Sequence, residues 1–231
     1  MTAPNNIILV DFPLRGVWIS PNTPGTRVPS HGTDLFGERY AYDFVGIDPQ
    51  ARSSKFYRTS PLHYLTSGVR LSECYGWGQP IYAAAAGVVV QSADGWPERD
   101  PVHPLRDIPN ATRNARAFSQ GQRDDIDLRE LMGNYVIVEG SDGYAVYVHA
   151  QNGSVRVAPG EPVQPGMHLA NVGHSGNSTA PHLHFHLMDH LDPWRAQGIP
   201  CAFREYEVLV NRAWQTVQNS MPRVEDKIRR Q

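Results

Sequence analysis

The 231-residue sequence holds only two cysteines, Cys74 and Cys201. That is too few for a disulfide scaffold, and two free thiols are the expectation. Long apolar runs are also missing. The longest, such as Ile81 to Val90, reach about half of the ~20 residues that a membrane span needs, and small residues interrupt them, so a spanning helix is excluded. No charge of one sign dominates: 21 basic side chains face 23 acidic ones. Nothing therefore attracts phosphate backbones or anionic lipid, and nucleic acid is not an expected partner. The stretch Met1 to Val10 lacks a basic leader and an apolar segment ending in small residues, so no signal peptide is visible there.

Sustained helical periodicity is nearly absent. Instead, 20 glycines and 19 prolines punctuate short β-branched and aromatic stretches, which points to a sheet-rich fold with many turns. Strands are expected at Ile7 to Val10, Gly16 to Ile19, Arg39 to Val45, Gly87 to Ser92, Asn134 to Glu139, Tyr144 to His149, His168 to Val172 and His182 to Met188. One short C-terminal helix is expected around Glu207 to Asn219. Two irregular segments, about 48–73 and 96–131, read as insertions, because strand signals resume cleanly after each. The chain reads as a single domain over 1–231, with a core of about 30–190 and a C-terminal extension over 191–231.

Ten histidines are many for this length. In Pro181-His182-Leu183-His184-Phe185-His186-Leu187 they alternate with apolar residues at the period of a strand, so three imidazoles share one face. A core face does not hold three imidazoles without partners for their nitrogens. Either they line a solvent face, or they serve a site. A zinc site needs three or four converging donors, and His182 with His184 cannot supply them alone. Asp43, inside the aromatic run Tyr40-Ala-Tyr-Asp-Phe-Val45, is an unusual place for a solvated carboxylate. His31 precedes it by twelve positions, and His149 ends the run Tyr144-Ala-Val-Tyr-Val-His149.

The run Gly173-His-Ser-Gly-Asn-Ser-Thr-Ala-Pro181-His182-Leu-His184-Phe closely resembles the signature of the lysostaphin-type zinc metallopeptidases, which cleave peptides in bacterial peptidoglycan. Gly78-Gln-Pro-Ile-Tyr-Ala-Ala-Ala-Ala-Gly87-Val-Val-Val, the stretch from Asn134 through His149, and Gly160-Glu-Pro-Val-Gln-Pro-Gly166 resemble further family motifs in the family's order. The resemblance covers roughly Ser30 to Asp189. It implies a mainly β fold, an antiparallel β-sheet groove of the duplicated-hybrid-motif kind, with loops as walls. It also implies one zinc ion held by His31, Asp43 and His184, with His149 and His182 as catalytic histidines.

Two departures stand out. The family's aspartate follows its first histidine by four residues, whereas Asp43 follows His31 by twelve, with Asp34 as a rival. His186 stands where the family often has glutamate.

The implied chemistry is attack by a zinc-activated water on a peptide carbonyl. His149 and His182 then move the proton and stabilise the oxyanion, in an order that the sequence does not assign. Tyr147 is a weaker candidate for substrate or oxyanion contact if its strand is regular, and Trp77 for lining a groove. The expected partner is a peptide, most simply a peptidoglycan stem peptide or crosslink, and by family analogy the protein is expected in the cell envelope or secreted. Alternatives are an inactive or regulatory member of the fold that binds a cell-wall component or partner, and a zinc peptidase acting on another peptide. A biotinyl- or lipoyl-type carrier lacks its lysine here. His63, His103, His168, His174 and His190 read as ordinary surface or hydrogen-bonded residues, and Asp124 to Asp127 as a solvated charge run.

Overall fold

The computed structural model describes residues 7–50, 53–120 and 127–231. The segment ahead of Ile7 and most of the Asp124 to Asp127 run lie outside them. Strands run at β1 Ile8–Val10, β2 Gly16–Asn22, β3 Tyr42–Gly46, β4 Pro80–Tyr82, β5 Gly87–Ala93, β6 Asn134–Gly140, β7 Gly143–Ala150, β8 Pro162–Val163, β9 His168–Asn171, β10 His182–Met188, β11 Gly198–Ile199, β12 Cys201–Val210, β13 Ala213–Ser220 and β14 Lys227–Arg230. Helices are α1 Pro61–Ser67, α2 Pro104–Gln120 and α3 Arg129–Met132. The expected mainly β architecture is the observed one. Twelve strands form a sheet ordered β1-β12-β14-β2-β3-β10-β7-β6-β5-β8, with β13 added to β12 and β11 to β10, while β4 and β9 pair separately. Every pairing among these strands is antiparallel except β1 with β12.

The central strands are buried on both faces, and the two faces differ in chemistry. Tyr42 and Phe44 of β3, Tyr147 of β7 and Leu183 and Phe185 of β10 join Phe12, Trp18 and Phe203 in the main core. The alternate residues, Asp43 of β3, Val146 and Val148 of β7 and His182, His184 and His186 of β10, take the opposite side, as the two-residue period of a strand requires.

The expected C-terminal helix is not formed. Residues 207–219 instead contribute to the hairpin β12–β13, in which Val210 pairs with Ala213 across Asn211 and Arg212. Both turn residues have positive φ, 49° and 66°, as the tight two-residue hairpin turn demands. Val208, Thr216 and Val217 are β-branched and gain from the pleated surface.

Helices arise where none was expected. α1 is capped by Ser60, whose hydroxyl accepts from the His63 N–H, and it begins with a proline at its first turn. α2 carries Pro109 in its interior and a polar outer face, which hides it from a periodicity reading.

Candidate metal and catalytic site

One rung of the sheet builds the centre of the site. Asn22 of β2 stands opposite Asp43 of β3, Asp43 opposite His184 of β10, and His184 opposite Val148 of β7. Paired positions in adjacent strands share a face, so these side chains converge without any loop.

The buried Asp43 carboxylate is contacted on both oxygens. Oδ2 lies 2.9 Å from His31 Nε2 and accepts from the Asn22 amide at 2.8 Å. Oδ1 lies 3.0 Å from His184 Nδ1 and 3.4 Å from His182 Nε2. Burial alone would raise its pKa, but the charges of His31 and His182 and hydrogen bonds from His182 and His184 hold it well below the ordinary carboxylate range. Burial works against a charged His31 as well, and the Asp43 carboxylate outweighs it, raising the imidazole. His31, Asp43 and His184 place one ligand atom each within 4.8 Å of one another. Two imidazole nitrogens and one carboxylate oxygen match the donor set of a catalytic zinc.

The twelve-residue gap between His31 and Asp43 is taken up by a compact 3₁₀ segment, Leu35–Tyr40, with Phe36 and Gly37 at positive φ. The Ser30 N–H donates to the Arg39 carbonyl at 3.1 Å and fastens the two ends of the loop. A Cβ on Gly37 would lie 2.7 Å from Met188 Cβ, so only glycine lets the loop pack against β10. Asp34 sits on the outside of this loop, exposed and paired with Arg39. The same loop brings Glu38 to 3.9 Å from His184 Nε2, a neighbour with no signal in the spacing.

Hydrogen bonds to carbonyls define the proton positions of the two further histidines, because a carbonyl only accepts. His182 Nδ1 donates to the Ala180 carbonyl at 2.7 Å, and His149 Nδ1 donates to the Ser175 carbonyl at 2.9 Å. Each ring therefore turns its Nε2 away from its carbonyl partner, that of His182 toward Asp43 Oδ1 at 3.4 Å. Their rings lie 4.6 Å apart between centroids. His149 is buried, and burial together with the charges of His182 and His184 pushes its pKa well below the ordinary value, favouring the neutral imidazole.

His149 reaches this face through a break in its strand. Its φ is +66°, which is uncommon for a residue with a Cβ. Tyr147, two residues earlier, therefore does not share its direction. Its ring packs on Phe185 at 5.2 Å in the main core, and its oxygen accepts from the Ala84 N–H at 2.7 Å. The strand is formed but loses its two-residue alternation at His149, so Tyr147, a substrate-contact candidate on a regular strand, points into the core. Trp77 is displaced for another reason. It packs on the small cluster of Tyr57, Val69, Leu71, Cys74 and Val102 and donates to Glu98 at 3.0 Å, away from the cavity.

A chain of polar groups approaches His182 from the 96–131 segment. His174 Nδ1 lies 2.9 Å from Ser178 Oγ, and Ser178 Oγ lies 3.2 Å from His182 Nδ1. Behind His174 stands the fully buried Asp107 of α2, at 3.5 Å from His174 Nε2. Asp107 accepts from Arg99 and Arg106 at 2.9 Å, and Arg99 donates onward to the Gly176 and Ser178 carbonyls. The histidine-bearing loop is thus pinned by the helix that crosses beside it. Of this network the sequence singles out only His174, and as an ordinary residue. His63 is exposed, and His103, His168 and His190 are half-buried and do not line the cavity.

Three imidazoles on the sheet, His149, His182 and His184, and a fourth, His31, from the loop before β3 thus gather near one carboxylate at a cleft. Residues 107–195 match the model of peptidase family M23, so the lysostaphin-type resemblance holds over that segment. It includes His149, His182 and His184 but neither His31 nor Asp43. No curated protein sequence matches the chain. Similar solved structures include the catalytic domain of the antimicrobial peptidase lysostaphin from Staphylococcus simulans, at 17% identity, TM-score 0.38, 80% of this chain and 88% of that one. A point mutant of the catalytic domain of the prophage-encoded M23 protein EnpA from Enterococcus faecalis shares 18% identity with TM-score 0.40, over 79% of this chain and 88% of that one. The M23 metalloprotease pseudoalterin from the deep sea shares 16% identity with TM-score 0.41, over 95% of this chain and 100% of that one.

Proposed function

We propose that the protein is a zinc-dependent endopeptidase that hydrolyses peptide bonds in bacterial peptidoglycan, working in the cell envelope. The observation that carries this reading is the buried Asp43, set between His31 Nε2 and His184 Nδ1, with the Nε2 atoms of His149 and His182 left without a carbonyl to bind. His31, Asp43 and His184 would hold the metal. When bound, zinc supplies Lewis-acid polarisation and a water that loses its proton near neutrality.

The chain's own residues supply the rest. The Ser30 hydroxyl lies 3.0 Å from His31 Nδ1 and donates to the Glu38 carbonyl, so His31 keeps its hydrogen on Nδ1 and offers Nε2. Asn22 fixes the plane of the carboxylate. One of His149 and His182 accepts the water's proton at Nε2 and returns it to the leaving amine, and the other donates from a protonated Nε2 to the oxyanion. Hydrogen bonds at Nδ1 hold both rings for this task.

The test is release of soluble muropeptides from purified peptidoglycan by the zinc-loaded protein. Release that is abolished by a chelator, and lost in His149→Ala and His182→Ala while each variant still binds zinc, supports the reading. Zinc binding without release from any wall preparation contradicts it.

A further inference from the structure

His149 and His182 take their orientation from one loop. The acceptor for His149 Nδ1 is the Ser175 carbonyl and that for His182 Nδ1 the Ala180 carbonyl, both within residues 173–180. This stretch forms no strand or helix of its own, and Ser175 is joined to Glu98 only by an isolated bridge. Its carbonyls therefore lack ladder or helical partners and need others to keep a fixed direction. Arg99 supplies them. Its Nη1 donates to the Gly176 carbonyl at 2.7 Å and its Nη2 to the Ser178 carbonyl at 2.6 Å. These two carbonyls lie between the two that receive the histidines. Arg99 Nε donates to the fully buried Asp107 of α2 at 2.9 Å, and Asp107 also accepts from Arg106 and the His103 N–H. The guanidinium is thus anchored behind and forked in front. Its planar geometry fixes the donors relative to one another, which the single flexible ammonium of a lysine does not do.

We propose that Arg99 is a positioning residue for both catalytic histidines, a role that rests on the peptidase reading above. By tying the 173–180 loop to Asp107 it keeps the Ser175 and Ala180 carbonyls aimed at the two Nδ1 atoms, and so fixes where both Nε2 atoms point. Without the fork these carbonyls are free to tilt. A neutral ring that loses its acceptor at Nδ1 admits the other tautomer, whose hydrogen sits on Nε2 and blocks acceptance of a proton there. The metal site is spared, because the hydrogen bonds of His31, Asp43 and His184 go to Asn22, Ser30, His186 and one another and not to this loop. Arg99 and Asp107 both belong to the 96–131 segment, which thereby holds the catalytic loop from behind.

The experiment compares zinc-loaded wild type with Arg99→Ala and with Arg99→Lys, which keeps a cation beside Asp107 for folding. Kinetics on a soluble crosslinked stem peptide are expected to show kcat lowered by about 100-fold in Arg99→Ala, with KM within about twofold and zinc content unchanged. Arg99→Lys is expected to fold as wild type and to recover only part of that loss. Nitrogen NMR of 15N-histidine protein at about pH 8, above the ordinary imidazole pKa, reads the hydrogen positions directly. Both His149 and His182 are expected to carry hydrogen on Nδ1 in wild type and to lose part of it to Nε2 in the variants. His168, whose Nε2 donates to the Ala170 carbonyl outside the loop, is expected to stay unchanged. Wild-type kcat in both variants overturns the role. So does a fall in kcat that leaves both Nδ1 signals as in wild type, because its cause then lies elsewhere. A zinc-loaded wild type that cleaves nothing overturns the peptidase reading and the catalytic role with it, while the Nδ1 signals still decide whether Arg99 holds the two rings.

Discussion

Asn22 and Asp43 face each other across the β2–β3 ladder, and the Asn22 amide donates to Asp43 Oδ2 at 2.8 Å. A carboxylate held this way presents Oδ1 toward His184 Nδ1 in one orientation. Partners behind a ligand change metal affinity by about 10- to 100-fold. Asn22→Ala is therefore expected to weaken zinc binding within that range while leaving one zinc per chain at saturation. Competition against a chelator of known affinity measures it.

Asp107 is buried among Arg99, Arg106 and His174. Burial would raise its pKa, but hydrogen bonds from His174, Arg106 and the His103 N–H win and hold it well below the ordinary carboxylate range. A lowered folded-state pKa contributes stability that is complete above the unfolded value of about 3.9 and is lost as pH falls through and below it. In zinc-stripped protein, the urea-midpoint advantage of wild type over Asp107→Asn is expected to shrink as pH falls from about 5 to about 3 and to go on shrinking below that. At about pH 7 the substitution costs about 1–3 kcal/mol. A constant gap across that pH range contradicts the assignment.

Tyr147 serves the core and not the chemistry. Tyr147→Phe leaves the Ala84 N–H without its acceptor and is expected to cost about 1–3 kcal/mol of stability, with kcat/KM on a peptide substrate within about twofold of wild type. A tenfold loss of activity without loss of stability restores Tyr147 to the site.

Both thiols are free and buried, and burial pushes each up to about 12. Since the thiolate is the reactive form, neither Cys74 nor Cys201 is expected to react with a disulfide reagent at about pH 8 in native protein. Both are expected to react in denaturant, which titrates two thiols per chain.

What the sequence makes legible follows physical periodicity. His182, His184 and His186 announce a shared face because apolar residues alternate with them, and the strands from Gly87 and Asn134 carry plain β-branched runs. The hairpin at Asn211-Arg212 escapes notice because its turn lacks the glycine that marks most of its kind. α2 escapes it because Pro109 and its arginines and asparagines mask the buried Asp107 and Phe118. The direction of His149 depends on one positive φ that the residue type does not advertise, and the wrong expectation for Tyr147 follows from it. Asn22, Glu38 and Ser178 reach the site only through strand register and loop closure. The proximity of His31 to Asp43 likewise depends on how the Leu35–Tyr40 segment folds back.

The most direct measurement is zinc content of wild type, Asp43→Ala and Asp34→Ala, purified in parallel and checked for folding. About one zinc per chain is expected in wild type and in Asp34→Ala, and almost none in Asp43→Ala. Full zinc in Asp43→Ala, or no zinc in folded wild type after loading, contradicts the assignment of the metal site.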